Sequence, residues 1–439
     1  MQHRIFLFTL LLLGGVSGYA QQPMSLNDAV QYALANAPEI KVAQLQLADA
    51  DWQIKENTAT ALPQLSGSIA YQYFIQRPGI PASALGFPGA GDEKIAFSAL
   101  HSLSPTLQYN QLFFSNSYRV AKKAAKYYRA YMDQKLTATK RTVRNNVVDA
   151  YMPALLISDN LATLDKNISN LEKLLSDTRA INKAGFAEQL DVDRLELSLS
   201  SIRSERTNLV RQREIVVNAL KFTMGMPVGQ ELTLSDDVEK LMAIYTDADM
   251  TTQVNLMDRP DYVELLKSRE LSALQIELNS KPWMPSFAGF LQYQPAFQGG
   301  FGNDTKWFFI PSAVAGISIN FSIWDGGISK ARRERAIIGV QTLDTQKQLL
   351  ENAIMLEVEN ARKQFVSAQE RVTSQQRNLD LAQRIYDTTQ TKYKSGIGSS
   401  FEVTTAEQEL YNAQQNVMQA RFDLLTARVS IRKALGLGN

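Results

Sequence analysis

The side chains able to do chemistry in this chain are almost all carboxylates and amines. Cys is absent, and His occurs only at positions 3 and 101. Thiol nucleophiles, Ser-His pairs, Cys/His zinc sites and lipid attachment through an N-terminal Cys are not expected from such a composition. No GxSxG, no Gly-rich phosphate loop and no metal-ligand spacing appears. Three carboxylates stand out by position. Glu402 closes Ser399-Ser-Phe-Glu402, the spacing of a helix capping box. Asp191 and Asp193 stand where another helix should begin, near the positive end of its dipole. Arg179, Lys183, Lys392 and Lys394 flank Gly185 and Gly396, two glycines where a helix must stop and reverse. These groups can cap helices, form ion pairs or bind cations. Neither an enzyme nor a cofactor is expected.

The elements that must position them are long. Two halves of the 439 residues align at constant offsets. Pro38-Glu39 matches Pro260-Asp261, Pro63-Gln-Leu-Ser-Gly67 matches Pro285-Ser-Phe-Ala-Gly289, and Tyr71 matches Tyr293, all 222 apart. Farther on the offset falls to 211: Lys183-Ala-Gly185 matches Lys394-Ser-Gly396, and Met224-Gly225 matches Leu435-Gly436. A repeat of this length implies a duplicated structural unit, at 21–225 and 250–439, joined by 226–249. Each unit reads as helix, strand, loop, strand, very long helix, turn, helix. In the second unit the first helix is expected over about 250–281.

The long helices are predicted over about 117–182, 188–224, 327–394 and 400–435 from apolar residues stepping by four and three. Val403, Ala406, Leu410, Ala413, Val417, Ala420, Leu424, Ala427, Ile431 and Ala434 form one such seam. Ile354, Val358, Ala361, Phe365 and Ala368 begin a second, and Val143, Val147, Ala150, Ala154 and Ile157 a third. These seams specify antiparallel coiled-coil packing, and a 68-residue helix would be roughly 100 Å long. Pro153 should kink or break the first long helix.

Four strands are expected at about 64–75, 103–114, 286–295 and 313–324. In the last, Ile317, Ile319, Phe321 and Ile323 alternate with Ser318, Asn320 and Ser322, giving one oily face and one wet face. Each run has the length of a tilted strand crossing a bilayer. Tyr71, Tyr73, Tyr109, Phe113, Tyr293 and Trp324 supply aromatics near strand ends, as a membrane-interface girdle would. A soluble sheet with one face on a helix is the competing assignment, but the helices already have seams of their own. Membrane strands must close into a barrel. Four cannot; two chains would give eight strands and three would give twelve.

The N-terminus, Arg4 followed by an apolar run over 5–13 and Gly18-Tyr19-Ala20, reads as a signal peptide over 1–20. The formal charge of +2 gives no reason to expect a nucleic-acid partner.

The whole pattern resembles the TolC-like outer membrane efflux proteins of Gram-negative bacteria. The resemblance covers essentially the whole mature chain. It is carried by "NFSIWDGGISKAR" (320–332), "KYKSGIGSSFEVTTAEQELYNAQQNVMQARFDLL" (392–425) and "IRKALGLG" (431–438), with first-half echoes "LFFSNSYRVAK" (112–122) and "KAGFAEQLDVDRLEL" (183–197). It implies a mainly α chain with a small membrane β part, assembled as a homotrimer. A twelve-stranded barrel would sit in outer membrane lipid and continue into a long periplasmic α-helical barrel. The loops at 76–98 and 297–311 would face outside. The turns at Gly185 and Gly396 would form the periplasmic tip, where a membrane-fusion adaptor docks and joins an inner-membrane pump. Segment 226–249, with Asp236, Asp237 and Glu239, would lie in an equatorial belt. Glu402 stands where similar channels carry a pore-lining acid, so three copies could ring the entrance and bind cations; capping is the other role open to it. Thr405 replaces a second acid expected one turn later. Asp191 and Asp193 are the first-half counterparts. Arg179, Lys183, Lys392 and Lys394 could latch the tip or meet the adaptor, or be solvated surface. The implied function is a passive exit duct for small molecules. Type I protein secretion, or a non-channel periplasmic coiled-coil protein, is the alternative.

Overall fold

A computed structural model describes residues 23–86, 94–96, 99–185, 187–245, 252–300 and 306–437. The signal-peptide segment and parts of both expected outer loops lie outside the described residues. The chain divides into two units: residues 1–41, 139–258 and 353–439 form one, and 42–138 and 259–352 the other.

The second unit contains the sheet. Four principal strands, β1 (Gln64–Tyr73), β4 (His101–Phe114), β5 (Ser286–Tyr293) and β8 (Ala313–Asn320), pair antiparallel in the order β1-β4-β5-β8. Sequence patterning missed four short strands. β2 (Gly79–Pro81) pairs with β3 (Lys94–Ala96), while β6 (Ala296–Gly299) and β7 (Phe308–Ile310) extend the main sheet beyond β4. They are too short to show a period. The register aligns the oily residues of all four principal strands. Leu65 faces Tyr109, Gly67 faces Leu107, Tyr109 faces Leu291, and Gly289 faces Ile317. One face is therefore continuous in Leu, Ile and Tyr, and the other carries Ser66, Ser68, Gln108, Asn110, Gln292 and Ser318. A one-residue slip would scramble both. The oily face is open: Ile69 is 76% exposed and Ile317 71%.

β8 ends at Asn320, not at 324 as expected, because its partner begins at Ser286, opposite Asn320, just after Pro285. Pro105 sits inside β4 where that strand passes from β5 to β6, so its missing N–H falls where only β1 pairs.

Helices of this unit continue the strand order. α2 (Pro38–Ala59), α3 (Asn116–Lys183), α6 (Pro260–Ser280) and α7 (Ile328–Lys394) adjoin β1, β4, β5 and β8 in turn. Arg129 of α3 pairs with Asp51 of α2 at 2.7 Å, Lys123 of α3 with Glu277 of α6 at 2.8 Å, and Arg269 of α6 with Asp344 of α7 at 2.5 Å. α6 starts at Pro260, not near 250. Proline fits the first helical position but forces the residue before it out of the helix, and Arg259 is extended at φ −97°, ψ 108°.

The first unit contains α1 (Leu26–Asn36), the C-terminal parts of α3 and α7, α4 (Gln189–Met224), α5 (Val238–Ile244) and α8 (Ser400–Ala434). All ten residues of the α8 seam are buried. Ala382 packs with Leu410 and Ala413, while Val358, Ala361, Phe365 and Ala368 pack with Leu424, Ala427, Ile431 and Ala434. These partners lie symmetrically about Gly396, as an antiparallel hairpin requires. Of the kink or break expected at Pro153, the break does not occur: α3 runs through the proline. Tyr151, Met152, Ala154 and Leu155 are all buried around the proline, and this packing outweighs the lost helical hydrogen bond.

The connecting segment is anchored by its acids. Asp237 caps α5 through the Lys240 N–H at 2.7 Å, and Glu239 pairs with Arg421 of α8 at 2.7 Å. Asp236 accepts from the Leu26 N–H at 2.7 Å and from the buried Tyr151 hydroxyl at 3.1 Å.

Candidate functional site

Two helix hairpins end in left-handed glycines: Gly185 at φ +82° between α3 and α4, and Gly396 at φ +76° between α7 and α8. At Gly396 the closure is complete. The Gly396 N–H donates to the Tyr393 carbonyl at 2.9 Å and the Ile397 N–H to the Lys392 carbonyl at 3.0 Å, so the turn supplies partners to the last carbonyls of α7. At Gly185 the N–H donates to the Asn182 carbonyl at 2.9 Å, and the Asn182 side chain donates across the turn to the Ala187 carbonyl at 2.8 Å.

Glu402 is exposed in the first turn of α8. Its backbone N–H donates to the Ser399 hydroxyl at 3.3 Å, which is one half of the expected box. The carboxylate does not return to the cap, in contrast to α1, where Ser25 and Asp28 complete both halves. The Glu402 carboxylate is thus left facing solvent. Thr405, one turn on, is also exposed. Asp193 is exposed and accepts from Gln189 at 2.7 Å.

Asp191 behaves differently. It is half-buried at the start of α4 and accepts a hydrogen bond from the hydroxyl of Ser400, which is buried at the start of α8. The N-terminal ends of the two helices are therefore tied together. Beside this tie the Arg194 guanidinium lies 5.5 Å from the Phe401 ring, a cation–π contact between the same helices. The Tyr393 hydroxyl donates to the hydroxyl of buried Thr178 at 3.3 Å, linking α7 to α3. All four helix ends are cross-linked by polar contacts. Beneath them Leu171, Leu174, Leu175, Val192, Leu195 and Val403 pack into one apolar cluster.

Sequence reasoning missed Ser400, Thr178 and Tyr393 as linking residues. Ser400 carried a signal, since it extends the α8 seam three residues before Val403 and is a polar residue on an apolar stripe. Glu407 was also missed. Its Oε2 is buried without a hydrogen-bond partner, and burial pushes its carboxyl up to about 7.

Of the four expected cations, only Arg179 is paired among the described residues, with Glu196 at 2.5 Å. It forms one rung of an α3–α4 ladder with Glu172–Arg203 and Asp165–Arg206, both at 2.5 Å. The rungs are about half exposed, so each contributes at most about 1 kcal/mol. Lys183, Lys392 and Lys394 are exposed and form no ion pair among the described residues.

On the sheet, Tyr71, Tyr73, Tyr109, Phe113 and Tyr293 are all exposed, and Trp324 is 87% exposed in the turn between β8 and α7. The Tyr71 hydroxyl meets His101 Nδ1 at 2.7 Å, and the Tyr73 ring lies 5.0 Å from the same imidazole. An open apolar sheet face with aromatic margins is suited to lipid, not water.

Comparison with known proteins agrees with this geometry. The chain is 23% identical over 422 residues to the pyoverdine export outer membrane protein OpmQ of Pseudomonas aeruginosa, covering 94% of this chain and 85% of that protein. It is also 23% identical to the cation efflux system protein CusC of Escherichia coli, covering 93% of this chain and 85% of that one. Among solved structures, the outer membrane protein VceC of Vibrio cholerae superposes with a TM-score of 0.68 at 16% identity, covering 94% of this chain and 96% of VceC. A CusC structure gives 0.70 at 18%, covering 94% and 92%. The match to the outer membrane efflux protein family spans residues 29–226 and 254–437, one segment for each half of the repeat, and the chain belongs to that family.

Proposed function

We propose that three copies of the chain form a passive exit duct through the Gram-negative outer membrane, coupled through a periplasmic adaptor to an inner-membrane pump that exports small molecules. The observation that carries this reading is the sheet. Its four principal strands present one continuous oily face, and both outer edges, β1 and β8, are unpaired among the described residues. Lipid tolerates strands only in closed barrels, and three such sheets joined edge to edge give twelve strands. The oily face meets lipid and the Ser/Gln/Asn face lines water.

The helix turns at Gly185 and Gly396 are the periplasmic tip. Asp191–Ser400, Arg194–Phe401 and Tyr393–Thr178 hold its helices together, and dilation must break them. Glu402, with its carboxylate free, supplies a ring of negative charge at the entrance that favours cations. Lys183, Lys392 and Lys394 are free to meet an acidic adaptor surface. The relatives OpmQ and CusC are named for pyoverdine export and cation efflux, two chemically different small cargoes, which supports the small-molecule reading here.

Deletion of the gene tests the reading. Raised susceptibility to small toxic compounds is expected, and restoring the gene should reverse it. Unchanged susceptibility together with loss of a secreted protein would overturn it. Purified protein in planar bilayers should conduct; a detergent-free monomer without conductance would refute the duct itself.

A further inference from the structure

The turns that join strands to helices carry exposed aromatics, with Trp283 in the α6–β5 turn and Phe321 and Trp324 in the β8–α7 turn. Immediately beyond them the charge is strongly one-signed. The first four turns of α3 hold Arg119, Lys122, Lys123, Lys126 and Arg129, and the first acid is Asp133. The first two turns of α7 hold Lys330, Arg332, Arg333 and Arg335 against Glu334 alone. Some of this charge is spent on neighbouring helices: Lys123 on Glu277 and Arg129 on Asp51. Arg119 leans on Asn116. Lys122, Lys126, Lys330, Arg332, Arg333 and Arg335 remain, all exposed and without an ion pair among the described residues.

Their placement is specific. At about 100° per residue, Lys122 and Lys126 fall between the side of α3 that meets α2 and the side that meets α6, so neither neighbour covers them. The α7 cations lie about 3–10 Å past the start of their helix, within a side chain's reach of the level of Trp324. An exposed tryptophan level followed at once by unpaired cations matches the order of a bilayer's interface, first the carbonyl zone and then the phosphates.

We propose that these six side chains form a basic collar that binds anionic phospholipid headgroups, phosphodiesters of the phosphatidylglycerol type, in the inner leaflet around the sheet. The collar rests on the membrane reading of the sheet and adds a lipid preference to it. Charge complementarity and continuity with the oily sheet face both point to this occupant. The unpaired cations meet anionic phosphate where the apolar face ends, and several cations acting together select an anionic headgroup over a zwitterionic one.

The full-length protein would be reconstituted in vesicles of phosphatidylethanolamine and phosphatidylglycerol, re-extracted gently, and its retained lipids weighed by native mass spectrometry. Retained phosphatidylglycerol should exceed its share in the bilayer several-fold, and the excess should shrink in high salt. The variants R332Q/R333Q/R335Q and K122Q/K126Q should each lower the enrichment about twofold, and the combined variant should bring it to the bilayer share, while the protein still floats with vesicles. Retention in proportion to the bilayer, or enrichment that survives both variants, would overturn the collar. A change in the anion/cation selectivity of conductance at constant lipid retention would also overturn it, because the cations would then line the duct. Failure of the wild-type protein to float with vesicles would instead overturn the membrane placement of the sheet and the collar with it.

Discussion

Glu407→Gln tests the burial of a carboxyl beside the tip cluster. Glu407 sits four residues after Val403 and three before Leu410, so its side chain follows the buried side of α8. Its Oε2 has no hydrogen-bond partner, and burial alone raises its carboxyl from an ordinary 4.5 to about 7. Tyr386 on α7 is pushed up to about 12, by burial first and then by the Glu407 charge. The sign follows from linkage. Below about pH 4.5 folded and unfolded chains both hold the proton, so the group adds no pH dependence. Between about 4.5 and 7 the unfolded chain releases it and the folded chain keeps it, so stability falls as pH rises. Above about 7 the loss is complete. At about 1.4 kcal/mol per pH unit the full gap is about 3 kcal/mol, and residual solvent access lowers it to about 2. Gln keeps the shape and cannot titrate. Any cost of burying its amide is the same at every pH and cancels in the comparison. Thermal melting of purified wild type and Glu407→Gln, followed by circular dichroism at pH 4.5, 6 and 8, measures the effect. Relative to wild type, the variant should gain about 2 kcal/mol between pH 4.5 and pH 8. An offset that stays constant across the three pH values would refute the assignment of a buried, proton-bearing Glu407.

Glu402→Ala should weaken divalent-cation block in planar bilayers and leave helix stability nearly unchanged, because the Ser399 cap uses the backbone N–H and not the carboxylate; unchanged block would remove the pore-ring role. Ser400→Ala should leave half-buried Asp191 without its partner, cost about 1–3 kcal/mol and speed hydrogen exchange at the starts of α4 and α8; exchange confined to wild-type rates would show that the tie holds nothing. Gly396→Ala meets open space and should cost only backbone strain, about 1 kcal/mol, whereas Gly225→Ala drives a Cβ to 3.0 Å from the Asn36 carbonyl and should cost clearly more by thermal melting.

The α8 seam was legible because ten residues keep one period without interruption, and packing against α7 needs only that stripe. The principal strands were legible for the same reason at period two, and the register then put their oily residues on one face. Strand and helix ends were less so. β8 stops where β5 starts and α6 starts where Pro260 allows, and both limits are set by another residue or element. α3 continues through Pro153 with Tyr151, Met152, Ala154 and Leu155 all buried beside it, a tertiary effect that no local rule weighs. Ser400 and Asp191 are 209 residues apart, and nothing in either neighbourhood announces the other. Asp236 and Tyr151 are likewise joined only by the way the connecting segment returns to α3.

The open edges of β1 and β8 also constrain the order of events in biogenesis. Among the described residues each edge carries a row of unpaired backbone donors and acceptors, which lipid does not tolerate. A single chain therefore has no stable residence in the bilayer, and its oily face gives it no comfortable residence in water. In the proposed duct, entry into the membrane and recruitment of neighbouring chains are therefore one concerted step. Until that step the periplasmic chain exposes a ready template for mispairing, and its abundance should depend on the factors that shield such edges in transit.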